Sequence, residues 1–199
     1  MENTALNKLV SILIVMATIF STAAASSQPK PKYMVDSVAF LQVTETQRTP
    51  VWCWAAAIAM TIRAQGVMWR QEDVVAATKG QLEVETATES EMTNFLIGWN
   101  RLDYDGTGWS VQSRQFIGAP PTAVIKASLE SGRPIIFTFR TGPYSEHAAV
   151  LYGANYPDDG NRLHSVYFYD PFTGKKGAST GEEFERSTTS SWDVVVSKE

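Results

Sequence analysis

Hydrophobic positions along the chain fall into two regimes. Up to about residue 132 the apolar residues cluster at helical spacing. The stretch "CWAAAIAMTIRAQ" (53–65) is alanine-rich, free of glycine and proline, and followed by Gly66. Such a run predicts a helix with a glycine stop, entered after the breaker Pro50, and its nearly continuous apolar centre predicts burial. Further helices are expected over "RQEDVVAATK" (70–79), over "SEMTNFLIGW" (90–99) with Ser90 as its cap, and over "PTAVIKASLE" (121–130). After Gly132 the pattern becomes short runs rich in β-branched and aromatic residues: "PIIFTFR", "HAAVLYGA", "HSVYFYD" and "WDVVVSK". Turn-forming "NYPDDGN" joins the second run to the third as a hairpin. The pattern predicts an α+β fold, a helical N-terminal half followed by an antiparallel sheet, with a cleft where the halves meet.

Residues 1–25 stand apart from this pattern. Lys8 precedes the apolar "LVSILIVMATIF", and small polar "STAAASS" follows, the order of a secretory signal cleaved after Ala25. The apolar run is too short for a membrane anchor, so no stable membrane association is expected after cleavage, and the location is expected to be secreted or periplasmic. The prolines and lysines of "SSQPKPKYMVDS" predict an exposed N-terminal arm over 26–41, leaving 42–199 as one domain. A net charge of −4 without a basic run gives no footprint for nucleic acid.

Export sharpens the meaning of Cys53, the single cysteine of the chain. It closes no internal disulfide, which leaves a buried small hydrophobe, an intermolecular bridge or a reactive thiol. Its place at the first turn of a buried helix favours an anion, and the thiolate is the nucleophilic form of cysteine. A thiolate nucleophile works with an imidazole and a group that orients it. The chain has two histidines. His147 heads "HAAVLYG" after a turn-like segment, and Asp170 ends "SVYFYD". If these strands pair as a hairpin, the start of one lies beside the end of the other, and His147 neighbours Asp170. Taken alone, Asp170-Pro171 reads as the start of a turn. His164, at the far end of its strand from Asp170, reads as a structural or surface histidine. Gln47, in the loop before the helix, is a candidate donor to a developing oxyanion; alone it reads as a solvated loop residue. Scattered histidines and one cysteine make no metal site, "DGTGWS" is no phosphate loop, and no cofactor is implied.

Together, Gln47, then Cys53-Trp54 opening an alanine-rich helix, then a histidine heading a strand and an acid after the next, resemble papain-like cysteine peptidases. "CWAAAIAM", "GRPIIFTF", "HAAVLYG" and "YFYDP" are most similar to compact bacterial members, the peptidases that remove bacteriocin leaders and related secreted effector peptidases. The resemblance spans roughly 42–175 and implies hydrolysis of a peptide or protein substrate. It assigns Cys53 as nucleophile, His147 as general acid and base, Asp170 as orienting carboxylate and Gln47 as oxyanion donor. Glu146 stands where many relatives carry glycine, which implies a narrower or charge-selective cleft. The paired cysteines of plant and animal papains are absent. The same residues are compatible with an amidase or endopeptidase toxin acting on cell-wall peptides, and the same fold with a catalytically inactive binding protein. Trp52 and Trp54 read as core aromatics that pack the helix and shield the site.

Overall fold

The computed structural model describes residues 33–97, 99–143, 145–156 and 162–199. The expected signal segment, residues 26–32 of the expected arm, and residues 157–161 of "NYPDDGN" lie outside the described residues. The chain runs β1 (Tyr33–Met34), α1 (Ser37–Val43), α2 (Cys53–Arg63), α3 (Gln71–Lys79), α4 (Glu89–Leu96), β2 (Trp99–Leu102), β3 (Gly108–Ile117) and α5 (Thr122–Glu130). It continues through β4 (Ile135–Gly142), β5 (Ser145–Asn155), β6 (Ser165–Asp170), β7 (Lys175–Thr180), α6 (Gly181–Ser187) and β8 (Thr188–Lys198). The strands form one antiparallel sheet in the order β2-β3-β8-β4-β5-β6-β7, with β1 added against β5.

Helix α2 is the centre of the molecule. From Ala55 to Ile62 its residues are completely buried and, Thr61 apart, apolar, as suits a helix enclosed by protein. It packs on β5 and β4 of the sheet and against α3 on its other flank. The alanines carry no side-chain bulk, which lets the backbone lie close to the sheet. The helix ends at Arg63, and Gly66 takes the left-handed φ of 107° in the turn that follows.

The loop that feeds this helix is tied down by polar contacts. Arg63 pairs with Glu45 at 2.7 Å, and the fully buried Gln71 donates to Glu45 Oε2 (2.9 Å) and to the Thr46 carbonyl (3.1 Å). Gln71 Oε1 in turn accepts from the Arg48 amide at 2.9 Å. These bonds fix residues 45–48 relative to α2 and α3.

Three features depart from expectation. Residues 33–41 are no exposed arm. β1 pairs with β5, Asp36 caps α1 by accepting from Val38 N and Ala39 N, and Val35 and Phe40 are buried at 3% and 2% exposure. The apolar residues of "YMVDSVAFL" outweigh the proline and lysine character of the segment just before it. Second, the helical half is interrupted by the β2–β3 hairpin. β3 shows only Val111 fully buried, so the strand lacks the apolar alternation that would announce it. "DGTGWS" forms its turn, with Asp103 N donating to Thr107 O and Gly106 N to Asp103 O. Third, α4 is capped by Thr88, not Ser90. Thr88 Oγ1 accepts from Glu91 N while Glu91 Oε2 accepts from Thr88 N, a reciprocal capping box, and the helix stops before Trp99.

Candidate active site

Strand pairing brings two sequence-distant residues together. Extending the β5–β6 register, in which Val150 faces Tyr169, places Asp170 opposite Ala149. His147, two residues along, is then on the same face of the sheet, a diagonal neighbour within reach of a long side chain. The contact is direct: His147 Nε2 and Asp170 Oδ1 are 2.6 Å apart. Asp170 is also held from its own turn, accepting from Phe172 N (2.8 Å) and from Thr173 Oγ1 (2.9 Å). The Asp170-Pro171 step therefore both starts a turn and orients an imidazole.

The other side of the ring meets Cys53. With Nε2 engaged by Asp170, Nδ1 is the ring nitrogen left for the Cys53 thiol, and the two side chains line the same cleft. Edge-to-face contacts with Phe139 (5.4 Å between centroids) and Phe172 (6.1 Å) fix the ring plane. Cys53 is the first residue of α2, 9% exposed, and no side chain among the described residues caps that helix end. Its own N–H, in the first turn, has no acceptor within the helix and is available to a developing oxyanion.

Electrostatics follow from this chain of contacts. Burial pushes the His147 imidazole down, but its bonds to Cys53 and Asp170 outweigh that and leave its pKa above the ordinary value. Burial alone raises Asp170; the bonds from His147, Phe172 and Thr173 prevail and hold the carboxyl below its ordinary value. The imidazolium form persists to higher pH, the carboxylate to lower pH. Asp170→Asn is therefore expected to move the His147 titration to lower pH, read by ring-nitrogen NMR. In stability terms the His147 contribution is complete below about pH 6.5 and is lost as pH rises through its folded pKa. The Asp170 contribution is complete above about pH 3.9 and is lost as pH falls through its folded pKa. The loss of thermal stability in the variant should accordingly be largest between those limits.

Gln47 reaches the same end of the molecule without joining this contact chain. Its amide N donates to the Pro171 carbonyl (2.8 Å), next to Asp170, and Gly174, at φ 66°, lets that turn press against Thr46. Its side-chain Nε2 donates to the Thr49 carbonyl at 2.8 Å, while Oε1 is buried without a hydrogen-bond partner among the described residues. One N–H of the amide remains to donate. His164 lies at the opposite end of β6 from Asp170 and lines a different cavity with Tyr167 and Glu183.

The cleft runs to both sides of the thiol. One arm, of about 540 Å³, is lined by Pro50, Val51, Phe139, Thr141 and Phe172 around Cys53, His147 and Asp170. A smaller arm of about 290 Å³ is lined by Trp54, Thr86, Ala87, Met92 and Thr138. Glu146 borders both. The flanking tryptophans are core residues with a further task that the sequence reading missed. Trp52 Nε1 donates to Glu83 O (2.9 Å) and Trp54 Nε1 to Glu85 O (3.2 Å), strapping the loop that carries Thr86 along the cleft. The available signal was chemical: a buried indole N–H requires an acceptor.

Comparison with known proteins matches residues 37–197 to the model of the Peptidase_C39 like family. Among solved structures the fold is similar to the peptidase domain of Streptococcus ComA, a bi-functional ABC transporter involved in a quorum sensing pathway. The two share 14% identity at a TM-score of 0.54, over 78% of this chain and 97% of that one. No curated protein matches the chain.

Proposed function

Because this chain belongs to the Peptidase_C39 like family and is a papain-like cysteine peptidase, we propose that it cleaves peptide bonds through Cys53, His147 and Asp170, with Gln47 as oxyanion donor. The observation that carries the reading is the continuous line Asp170–His147–Cys53 at the junction of the two arms of the cleft. The Cys53 thiolate attacks the substrate carbonyl carbon, and the carbonyl π pair moves onto oxygen. The Cys53 N–H and the free N–H of Gln47 receive that charge. As the intermediate collapses, the C–N bond breaks and His147 gives its proton to the leaving amine. Water, deprotonated by His147, then attacks the thioester and releases the carboxyl product and the thiolate. Asp170 holds the ring so that Nδ1 faces sulfur throughout.

The substrate is a peptide or protein segment that lies across Cys53 from one arm of the cleft to the other. The signal-like residues 1–25 support action outside the cytoplasm, and cleavage after Ala25 keeps β1 and α1 in the mature chain. Product mass spectrometry after incubation with a peptide library and, separately, with peptidoglycan tests this reading. Cleavage of the library supports a general peptidase, whereas products from peptidoglycan alone replace it with a cell-wall enzyme.

Gln47→Ala is expected to fold normally and lower kcat by about a hundred- to a thousandfold, roughly 2.7–4 kcal/mol, as for loss of one oxyanion donor. KM should change much less, because the ground-state carbonyl scarcely uses that donor. Steady-state kinetics on a peptide found in the library digest check this. An unchanged kcat removes Gln47 from the oxyanion site and leaves the nucleophile assignment standing.

A further inference from the structure

The register that unites His147 with Asp170 depends on one extra residue. On β5 the pairing with β6 runs Leu151↔Phe168 and then Gly153↔Tyr167, so Tyr152 is a bulge without a β6 partner. Carried straight through from Gly153↔Tyr167, the ladder would set Asp170 opposite Val150. Val150 and His147 lie on opposite faces, since side chains alternate along a strand. A one-residue slip moves every side chain to the other face, and the Tyr152 bulge supplies the slip that returns Asp170 to the His147 face.

What holds the bulge is the segment whose composition suggested an exposed arm. Val35 N donates to the Tyr152 carbonyl at 3.1 Å. This bond falls where β4 has ended: Ile135 pairs with Leu151, and the next residue outward is Pro134, which has no N–H to give. The Phe40 ring stacks on the Tyr152 ring at 5.3 Å and 23°. Met34 pairs with Gly153, where a Cβ would come within 3.3 Å of the Met34 side chain, so the glycine permits the close approach of β1. We infer that residues 33–40 are a positioning element for the active site, clamping the Tyr152 bulge and thereby keeping Asp170 on the face of His147. The inference rests on the proposed roles of those two residues, but its test does not require turnover.

Three variants test it: Phe40→Ala, which removes the stacked ring; Phe40→Leu, which keeps most of the buried volume; and Val35→Pro, which removes the N–H given to Tyr152. Val111→Ala, on β3 and three strands away from β5, is a control for general core destabilisation. In Phe40→Ala and Val35→Pro, the His147 ring nitrogens should titrate at lower pH than in the wild type. Their kcat should fall about tenfold or more with KM nearly unchanged, the mark of a misplaced catalytic group. Phe40→Leu should recover most of both, and Val111→Ala should lower the melting temperature while moving neither. Val35→Pro removes far less buried volume than Phe40→Ala, so the test stands even if Phe40→Ala melts below the assay temperature. Folded Phe40→Ala and Val35→Pro proteins with wild-type titration and kcat would overturn the inference and make the segment mere packing. A wild type that turns over no peptide, with the titration shift still seen in the variants, counts against the peptidase mechanism and for the clamp.

Discussion

His147→Ala lowers kcat for peptide hydrolysis by on the order of 10⁴-fold or more and slows alkylation of Cys53 by iodoacetamide near neutral pH. Two losses combine. The imidazole that lines the cleft beside the sulfur is gone, so the thiolate loses that cationic partner. The leaving amine also has no acid to protonate it, and expelling an unprotonated amide nitrogen is the harder part of peptide cleavage. Asp170 cannot substitute, because it is an acceptor held by its own turn through Phe172 N and Thr173 Oγ1. Substrates with a good leaving group, such as activated esters, should lose far less, since they need no proton on departure. Kinetics on a matched peptide and ester, with a thermal melt as control for folding, separate the two losses. Equal losses on both substrates would mean that His147 serves the thiolate alone.

How much of this was legible in the chain depends on what each element advertises. Helix α2 was legible because its alanine run is uniform and its ends are marked by Pro50 and Gly66. The meeting of His147 and Asp170 followed from the two ends of one hairpin. Its parity did not, because a bulge at Tyr152 is visible in sequence only as Gly153 inside an otherwise good strand, a faint mark of irregularity. The backbone of Gln47 meets the Pro171 turn beside Asp170, but the turn of its side-chain amide toward Thr49 is a matter of local packing that its spacing from Cys53 does not encode. Residues 33–41 were misread because a window dominated by Ser, Pro and Lys masked Val35 and Phe40, two apolar residues that find their partners far away on β5. The β2–β3 hairpin was missed for the opposite reason. Its strands pair through backbone bonds and bury little, and hydrophobic pattern reads burial rather than hydrogen bonding.

Loss of the nucleophile should have the largest effect of all. Cys53→Ala removes the sulfur that forms the acyl intermediate, and neither the oxyanion donors nor His147 has another atom to serve. Removal of a catalytic nucleophile costs about 10⁶-fold in kcat, which for a peptide bond is indistinguishable from background. The substitution itself is mild. Alanine keeps the Cβ, suits the first turn of a helix already rich in alanine, and leaves the packing of Trp52 and Trp54 untouched. The variant should therefore melt close to the wild type and still bind peptide along the cleft. The decisive measurement is a mass-spectrometric comparison of peptide-library digests by wild type and Cys53→Ala at equal concentration, both proteins shown to be folded. The account predicts defined cleavage products from the wild type and none from the variant. The same products from Cys53→Ala, or none from either protein, would contradict it.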